Sequence, residues 1–281
     1  MSRDCTQTLA ATETEDGLEL HGALILPVGR RPKLVFVWIH GFGANFYFPP
    51  YLRLGEAVAT RNYAFLVGNT RGHDFGTLLQ PRGRAPYFGG AAWERLEESQ
   101  HDMAAWINFA ERRGFAGVAL AGHSIGAVKV TAYQAQQQDP HVLGVVLASP
   151  PLRPGWDTRA YPAALAEPEQ MVAQGRPEEL FAGPWGPVSA QTYLSFDRFS
   201  FDQFGRKTAS PNLGHIRGPL LVVLGTNEEQ VVVPDDLEVI RRNAAGAARL
   251  ETHVIAGADH FYAGQEQQVA AILTRWADTL Q

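Results

Sequence analysis

The chain has 281 residues, of which 45% are hydrophobic and 19% are charged. This balance is typical of a globular protein with a sizeable core and excludes a disordered chain. A formal net charge of -5, without clustered lysine and arginine, excludes the usual electrostatic basis for binding nucleic acid or an anionic membrane.

Short apolar runs alternate with helical patterns along the chain, which predicts an α/β fold with a mostly parallel sheet covered on both faces. The predicted strands are the apolar runs 18–24, 34–40, 64–68, 118–121, 142–148, 220–225 and 250–255. The predicted helices are 51–60, 95–113, 125–138, 235–245 and 266–279. Helix 95–113 carries apolar side chains at helical spacing, which predicts that they face the core: Met103, Trp106, Ile107 and Ala110.

The N-terminal segment 1–17 has no apolar stretch behind a basic start, and no run of about 18 apolar residues occurs anywhere. Cys5 is the single cysteine, so no internal disulfide can form. We therefore expect a cytoplasmic protein without a membrane span. Nothing in the composition indicates its oligomeric state.

Between the strands 142–148 and 220–225 the alternation stops, and prolines and aromatic residues accumulate. A structureless loop of that length is uncommon, so we predict a cap subdomain over 150–213, with the core formed by 1–149 and 214–281. The aromatic side chains of the cap either form a small core of their own or face a ligand cleft. The candidates for substrate contact are Trp156, Trp185, Tyr193 and Phe196.

The turn between strand 118–121 and helix 125–138 has the G-x-S-x-G pattern of a nucleophile elbow. It reads Gly122-His123-Ser124-Ile125-Gly126. A serine at so sharp a turn has strained backbone angles, and only glycine fits at the crowded flanking positions. The pattern therefore predicts Ser124 as a nucleophile. The alternative, an idle serine in a glycine-rich turn, leaves the other features below unexplained.

A second glycine-rich turn, His40-Gly41-Phe42-Gly43, follows strand 34–40. Acyl transfer builds negative charge on a carbonyl oxygen, and backbone N–H groups aimed at that oxygen stabilise it. We assign these oxyanion donors to the N–H groups of Phe42 and of Ile125, the residue after the nucleophile. His40 is expected to brace this turn, and Lys129 to take no part in the chemistry.

Ser124 needs a base, usually a histidine oriented by a carboxylate. His260 follows strand 250–255, the position of the base in folds with this elbow. The predicted acid is Glu228, beyond strand 220–225, with Glu229 as the second candidate. The two glutamates could instead form an ordinary solvated charge pair. Asp259 is expected to cap a loop.

These segments, together with Asn69-Thr70-Arg71-Gly72-His73, occur in an order that resembles the α/β-hydrolases. The resemblance implies an eight-stranded, mostly parallel sheet with an antiparallel edge strand near the N-terminus, a cap after the sixth strand, and no cofactor or metal. The segments 89–94 and 127–129 look like a bacterial branch of that superfamily. Within it the chain is more loosely similar to macrolide esterases, and glutamate replaces the commoner aspartate as the acid.

The leading hypothesis is a serine esterase that cleaves a small-molecule carboxylic ester or lactone, including a macrolide lactone, through an acyl-enzyme. The same residues would serve thioester, amide or carbon–carbon bond hydrolysis. From a different class, a ligand-binding protein with a vestigial site would show the same motifs.

Overall fold

Seven apolar runs and one largely polar segment form an eight-stranded sheet in the computed structural model, which describes residues 4–152, 165–183, 186–199, 202–228 and 234–280. The strands are β1 (Cys5–Glu13), β2 (Glu19–Pro27), β3 (Leu34–Ile39), β4 (Ala64–Gly68), β5 (Thr77–Leu79), β6 (Tyr87–Gly89), β7 (Gly117–His123), β8 (Val142–Ala148), β9 (Leu180–Gly183), β10 (Gly186–Ser189), β11 (Leu220–Gly225) and β12 (Leu250–Ile255). β5 with β6, and β9 with β10, form separate two-stranded pairs.

The order of the main sheet is β1-β2-β4-β3-β7-β8-β11-β12. β2 is antiparallel to both of its neighbours, β1 and β4, and the pairs from β4 to β12 are parallel. The mostly parallel eight-stranded sheet is confirmed. The resemblance implied that the antiparallel strand lies at the edge of the sheet. The antiparallel strand is instead β2, second from the edge, and the edge strand β1 runs in the same direction as the other strands.

Helices cover both faces of the sheet, as predicted. They are α1 (Pro49–Ala59), α2 (Ser99–Arg112), α3 (Ile125–Gln137), α4 (Ala166–Ala173), α5 (Ala190–Phe199), α6 (Asp235–Asn243) and α7 (Glu266–Ala277). Alternate side chains of β3 enter two separate apolar clusters: Val35 and Val37 join residues of α2 and α3, whereas Phe36 and Trp38 join residues of α1 and α7. A strand buried on both faces gives the continuous apolar run seen in the sequence.

The predicted helix 95–113 begins with a 3-10 turn at Leu96–Glu98 and continues as α2. Its predicted core residues are confirmed, because Met103, Trp106, Ile107 and Ala110 are all buried. Across the described ranges, no helix combines the length and apolar character needed to span a bilayer.

The elements α4, β9, β10 and α5 lie between β8 and β11, within the segment 150–213. Assignment of this segment as a cap stays a prediction. Two of the four aromatic candidates in it, Trp156 and Trp185, lie outside the described residues.

Parallel strands end at the same edge of a sheet, so the segments that follow them gather there. At this edge β3 leads into Gly41, β7 into Ser124, β8 into Ser149, β11 into Glu228 and β12 into His260. The fold thus brings residues that are far apart in sequence to one place.

Candidate active site

Ser124 occupies the turn from β7 into α3 with φ 55° and ψ -123°, a backbone conformation that side-chain-bearing residues rarely adopt. The flanking glycines explain how the turn fits. A Cβ atom on Gly122 would lie 2.3 Å from the carbonyl oxygen of Gly126, and one on Gly126 would lie 2.3 Å from that of Ile39. Only glycine is compatible with both positions, so the elbow has the geometry that its sequence predicted.

The turn after β3 lies directly over this elbow. A Cβ atom on Gly41 would be 3.0 Å from the Cβ atom of Ser124, so the backbone that carries Phe42 runs beside the serine. On the other side, Ile125 is the first residue of α3, where a backbone N–H group has no acceptor within the helix. The two predicted oxyanion donors therefore lie on segments that flank Ser124.

A pocket of about 160 Å³ opens beside the serine. Its lining consists of Gly41, Phe42, Ala44, His123, Ser124, His260 and Phe261. The predicted nucleophile and the predicted base thus share one pocket, together with the backbone of the turn after β3.

His260 and Glu228 are in contact, as the order of the segments along the chain suggested. The Nδ1 atom of His260 lies 2.9 Å from Oε2 of Glu228, whose side chain is only 1% exposed. Because the carboxylate accepts a hydrogen bond from Nδ1–H, it favours the tautomer in which Nε2 carries no proton and can act as a base. Glu229, the second candidate, lies outside the described residues.

The second carboxylate oxygen of Glu228 is held by two donors. Oε1 accepts hydrogen bonds from the backbone N–H of Gly225 at 2.5 Å and from the Ser149 hydroxyl at 2.8 Å. The hydroxyl of Tyr262 lies 2.7 Å from that of Ser149 and 2.9 Å from the carbonyl oxygen of Val223, and its one proton is available to either acceptor. These contacts fix the carboxylate and satisfy its buried oxygen.

Sequence reasoning did not identify Ser149 or Tyr262. Ser149 is the first residue after β8, so its position at the carboxyl end of a parallel strand was the one available signal. Tyr262 lies two residues beyond His260 and gives no such signal. Asp259 caps its own loop, as expected, by accepting hydrogen bonds from the N–H groups of Phe261 and Ala263.

His123, inside the elbow, connects the surrounding segments. Its Nε2 atom lies 2.6 Å from the carbonyl oxygen of His260, and its Nδ1 atom lies 2.9 Å from the hydroxyl of Tyr51. That hydroxyl also accepts the N–H of Gly41 at 3.2 Å. Burial, together with the nearby His260, lowers the pKa of His123 to about 3, so its ring is neutral and donates through Nε2. His123 thereby links the base to the turn after β3.

Tyr193 and Phe196 lie on α5 and are buried in an apolar cluster with Leu96 and Val188. Within the part of the chain that the structure describes, neither contributes to the pocket beside Ser124. Their role in substrate binding stays a prediction. In the same described ranges, no group of three or more histidine, cysteine or carboxylate side chains is arranged to hold a metal ion.

The strained serine on a strand-to-helix turn, at the carboxyl edge of a mostly parallel sheet, defines the class of the protein. Residues 34–272 match the family model described as the alpha/beta hydrolase family. The chain belongs to this family.

Two curated relatives are similar in sequence. One is phospholipase YtpA of Bacillus subtilis, 33% identical over 120 residues that cover 43% of this chain and 41% of that protein. The other is the human (lyso)-N-acylphosphatidylethanolamine lipase, 28% identical over 187 residues that cover 64% of this chain and 51% of that protein. The matches thus span about half or less of the length of these relatives.

Two solved structures share the fold. Est1E from Butyrivibrio proteoclasticus with ferulic acid bound has a TM-score of 0.68 and 17% identity, covering 96% of this chain and 99% of that chain. DcsB in complex with its substrate analogue has a TM-score of 0.70 and 13% identity, covering 96% of this chain and 98% of that chain.

The buried neutral His123 predicts a pH dependence of stability. In the unfolded chain this group has its ordinary pKa of 6.5, so below that pH only the unfolded state takes up its proton and stability falls. Between about pH 5.5 and pH 4, His123 should make the unfolding free energy of the parent fall by about 1.4 kcal/mol for each unit that the pH is lowered. We expect this contribution to the slope to be absent in His123→Gln. Urea titrations at several pH values would measure this slope.

Above about pH 7.5 the ring is neutral in both states, so the difference in stability between variant and parent should no longer change with pH. Parallel curves for the two proteins across the acidic range would contradict the assignment of a neutral His123.

Proposed function

We propose that the protein is a carboxylic ester hydrolase in which Ser124 is the nucleophile, His260 the base and Glu228 the acid. The observation that carries the proposal is that His260 and Ser124 line one pocket while the buried carboxylate of Glu228 holds the far side of the imidazole. A histidine oriented in this way is what a serine hydroxyl requires for activation.

In the proposed reaction, His260 Nε2 takes the hydroxyl proton as Ser124 Oγ attacks the ester carbonyl. The N–H groups of Phe42 and Ile125 stabilise the resulting oxyanion, each by about 3 kcal/mol. His260 then gives its proton to the departing alcohol, which leaves an acyl-enzyme. Water then attacks this acyl group as His260 takes its proton. The bond to Ser124 Oγ breaks, His260 returns the proton to Oγ, and the carboxylic acid leaves.

The side chains that line the pocket indicate which chemical group of a substrate could fit there. Among the described residues that line it, none but the two histidines is titratable, and Phe42 and Phe261 supply apolar surface. We infer that the group next to the scissile bond is uncharged and packs against these apolar side chains. Ester-cleaving relatives, among them a phospholipase and a lipase, support this reaction class.

Replacement of the nucleophile tests the reaction class. Ser124→Ala should remove nearly all turnover of a short aryl ester because no acyl-enzyme can form, while the melting temperature stays close to that of the parent. A fluorophosphonate probe should label the parent at Ser124 and leave the variant unlabelled. A variant that keeps its full esterase activity, or a parent that does not react with the probe, would favour the non-catalytic ligand-binding alternative.

The identity of the acid is tested by a matched pair of variants. Glu228→Gln should lower kcat by about 10⁴-fold because an amide no longer stabilises the imidazolium or the required tautomer. Glu229→Gln, the same change at the neighbouring position, should leave kcat close to that of the parent. The opposite ranking in steady-state assays would transfer the role of the acid to Glu229.

The lactone hypothesis makes a separate demand, a wide apolar cleft formed with the proposed cap 150–213. Incubation with large-ring macrolide lactones, followed by mass measurement, should show a gain of one water molecule. Short aryl esters and a lysophospholipid serve as comparison substrates. Unchanged macrolide masses alongside turnover of the aryl ester would reject the lactone as the substrate and retain the esterase.

A further inference from the structure

Lys129 and Glu94 form a buried charged pair that the reaction above does not use. Lys129 lies on α3, one turn beyond Ile125, and both side chains are only 1% exposed. The ammonium group donates a hydrogen bond to Oε1 of Glu94. Removing two such charges from water is costly, so a buried pair of this kind is weak evidence for a purely stabilising role.

The same ammonium group begins a chain of hydrogen bonds that runs toward the site. Lys129 Nζ donates to the hydroxyl of Thr70 at 3.2 Å, and this hydroxyl lies 3.1 Å from Nε2 of His40. The backbone N–H of Thr70 donates to the same Nε2 atom at 3.0 Å. The Nδ1 atom of His40 in turn lies 2.8 Å from the carbonyl oxygen of Gly41.

The direction of every bond in this chain follows from its two ends. An ammonium group can only donate, so the Thr70 hydroxyl accepts a hydrogen bond from Lys129 and donates one to His40 Nε2. Burial, with the charge of Lys129 acting in the same sense, lowers the pKa of His40 to about 3. The ring is therefore neutral, its Nε2 atom accepts, and its remaining proton on Nδ1 is donated to Gly41.

The chain of hydrogen bonds ends on the peptide group between Gly41 and Phe42. The carbonyl oxygen of Gly41 and the N–H of Phe42 belong to the same planar peptide unit, so an interaction that orients one orients the other. The N–H of Ala44 also donates to this oxygen, at 3.2 Å. Donors on the carbonyl side polarise the peptide and strengthen its N–H as a donor in turn.

We propose that Lys129 is a positioning residue that, through Thr70 and His40, fixes and polarises the peptide whose N–H group serves as the oxyanion donor of Phe42. The inference rests on the proposed esterase function. Lys129 touches no reacting atom, and Glu94 supplies the counter-charge that allows the ammonium group to stay buried at the start of the chain. Lys129 thus takes no part in the making or breaking of bonds, as expected from sequence, but it orients a group that does act on the transition state.

The hydroxyl of Thr70 is the link that can be removed with least disturbance. Thr70→Val deletes the hydroxyl, whereas Thr70→Ser retains it as the conservative control. Thr131→Val is the matched control for a lost buried hydroxyl, because Thr131 lies on α3 and donates only to the carbonyl of Ala127. The paired variant Lys129→Met with Glu94→Gln removes both charges without leaving one buried and unpaired.

The measurement is kcat and KM on a short aryl ester, expressed per active site titrated with a fluorophosphonate, with the melting temperature of each variant. An oxyanion donor acts on the transition state, so we expect Thr70→Val to lower kcat by about 10- to 100-fold with KM little changed. The paired charge variant should lower kcat in the same way. Thr70→Ser should restore kcat to near the parent value, and Thr131→Val should not lower it.

A Thr70→Val enzyme or a paired charge variant with the parent's kcat per active site would overturn the inference, as would a Thr70→Ser enzyme as impaired as Thr70→Val. A loss confined to melting temperature, or an equal loss of kcat in Thr131→Val, would also reject it in favour of a structural role. Failure of the proposed function is distinguishable, because Ser124→Ala would then retain turnover, or the parent itself would show neither turnover nor labelling by the fluorophosphonate.

Discussion

The site depends on the close approach of two backbones at the nucleophile elbow. A missing side chain at Gly126 allows the first turn of α3 to lie against the carbonyl oxygen of Ile39 at the end of β3, and a missing side chain at Gly122 allows the elbow to close on itself. Ser124 is held in a strained conformation that costs about 1–3 kcal/mol. Burial of nearly all of α3 against the sheet offsets this strain, because the elbow cannot relax without lifting the helix from the core.

Much of the fold was predictable because the central strands are buried on both faces, and such strands leave continuous apolar runs in the sequence. β1 was missed for the opposite reason. It lies at the sheet edge with most of its side chains exposed, so residues such as Thr6 and Gln7 carry no apolar signal. The 3-10 start of the predicted helix 95–113 was missed because helical periodicity does not distinguish a tight first turn from an α-helical one.

That Ser124, Glu228 and His260 lie at one edge of the sheet was predictable from sequence, because each follows a recognisable strand and the carboxyl ends of parallel strands meet at that edge. The contacts of Ser149 were not, since its hydroxyl reaches across 79 residues to Glu228 and 113 residues to Tyr262. Such contacts follow from packing and leave no local pattern. The aromatic composition of 150–213 likewise shows which side chains are present and not which way they face.

The position of α3 has one further consequence. Its first residue, Ile125, offers an N–H group to the site, and Lys129, one turn later, holds the chain of bonds that ends on the peptide of Phe42. Both donors of the proposed oxyanion site therefore depend on the position of one helix. The first depends on the backbone of α3, and the second depends on it through the side chains of Lys129, Thr70 and His40.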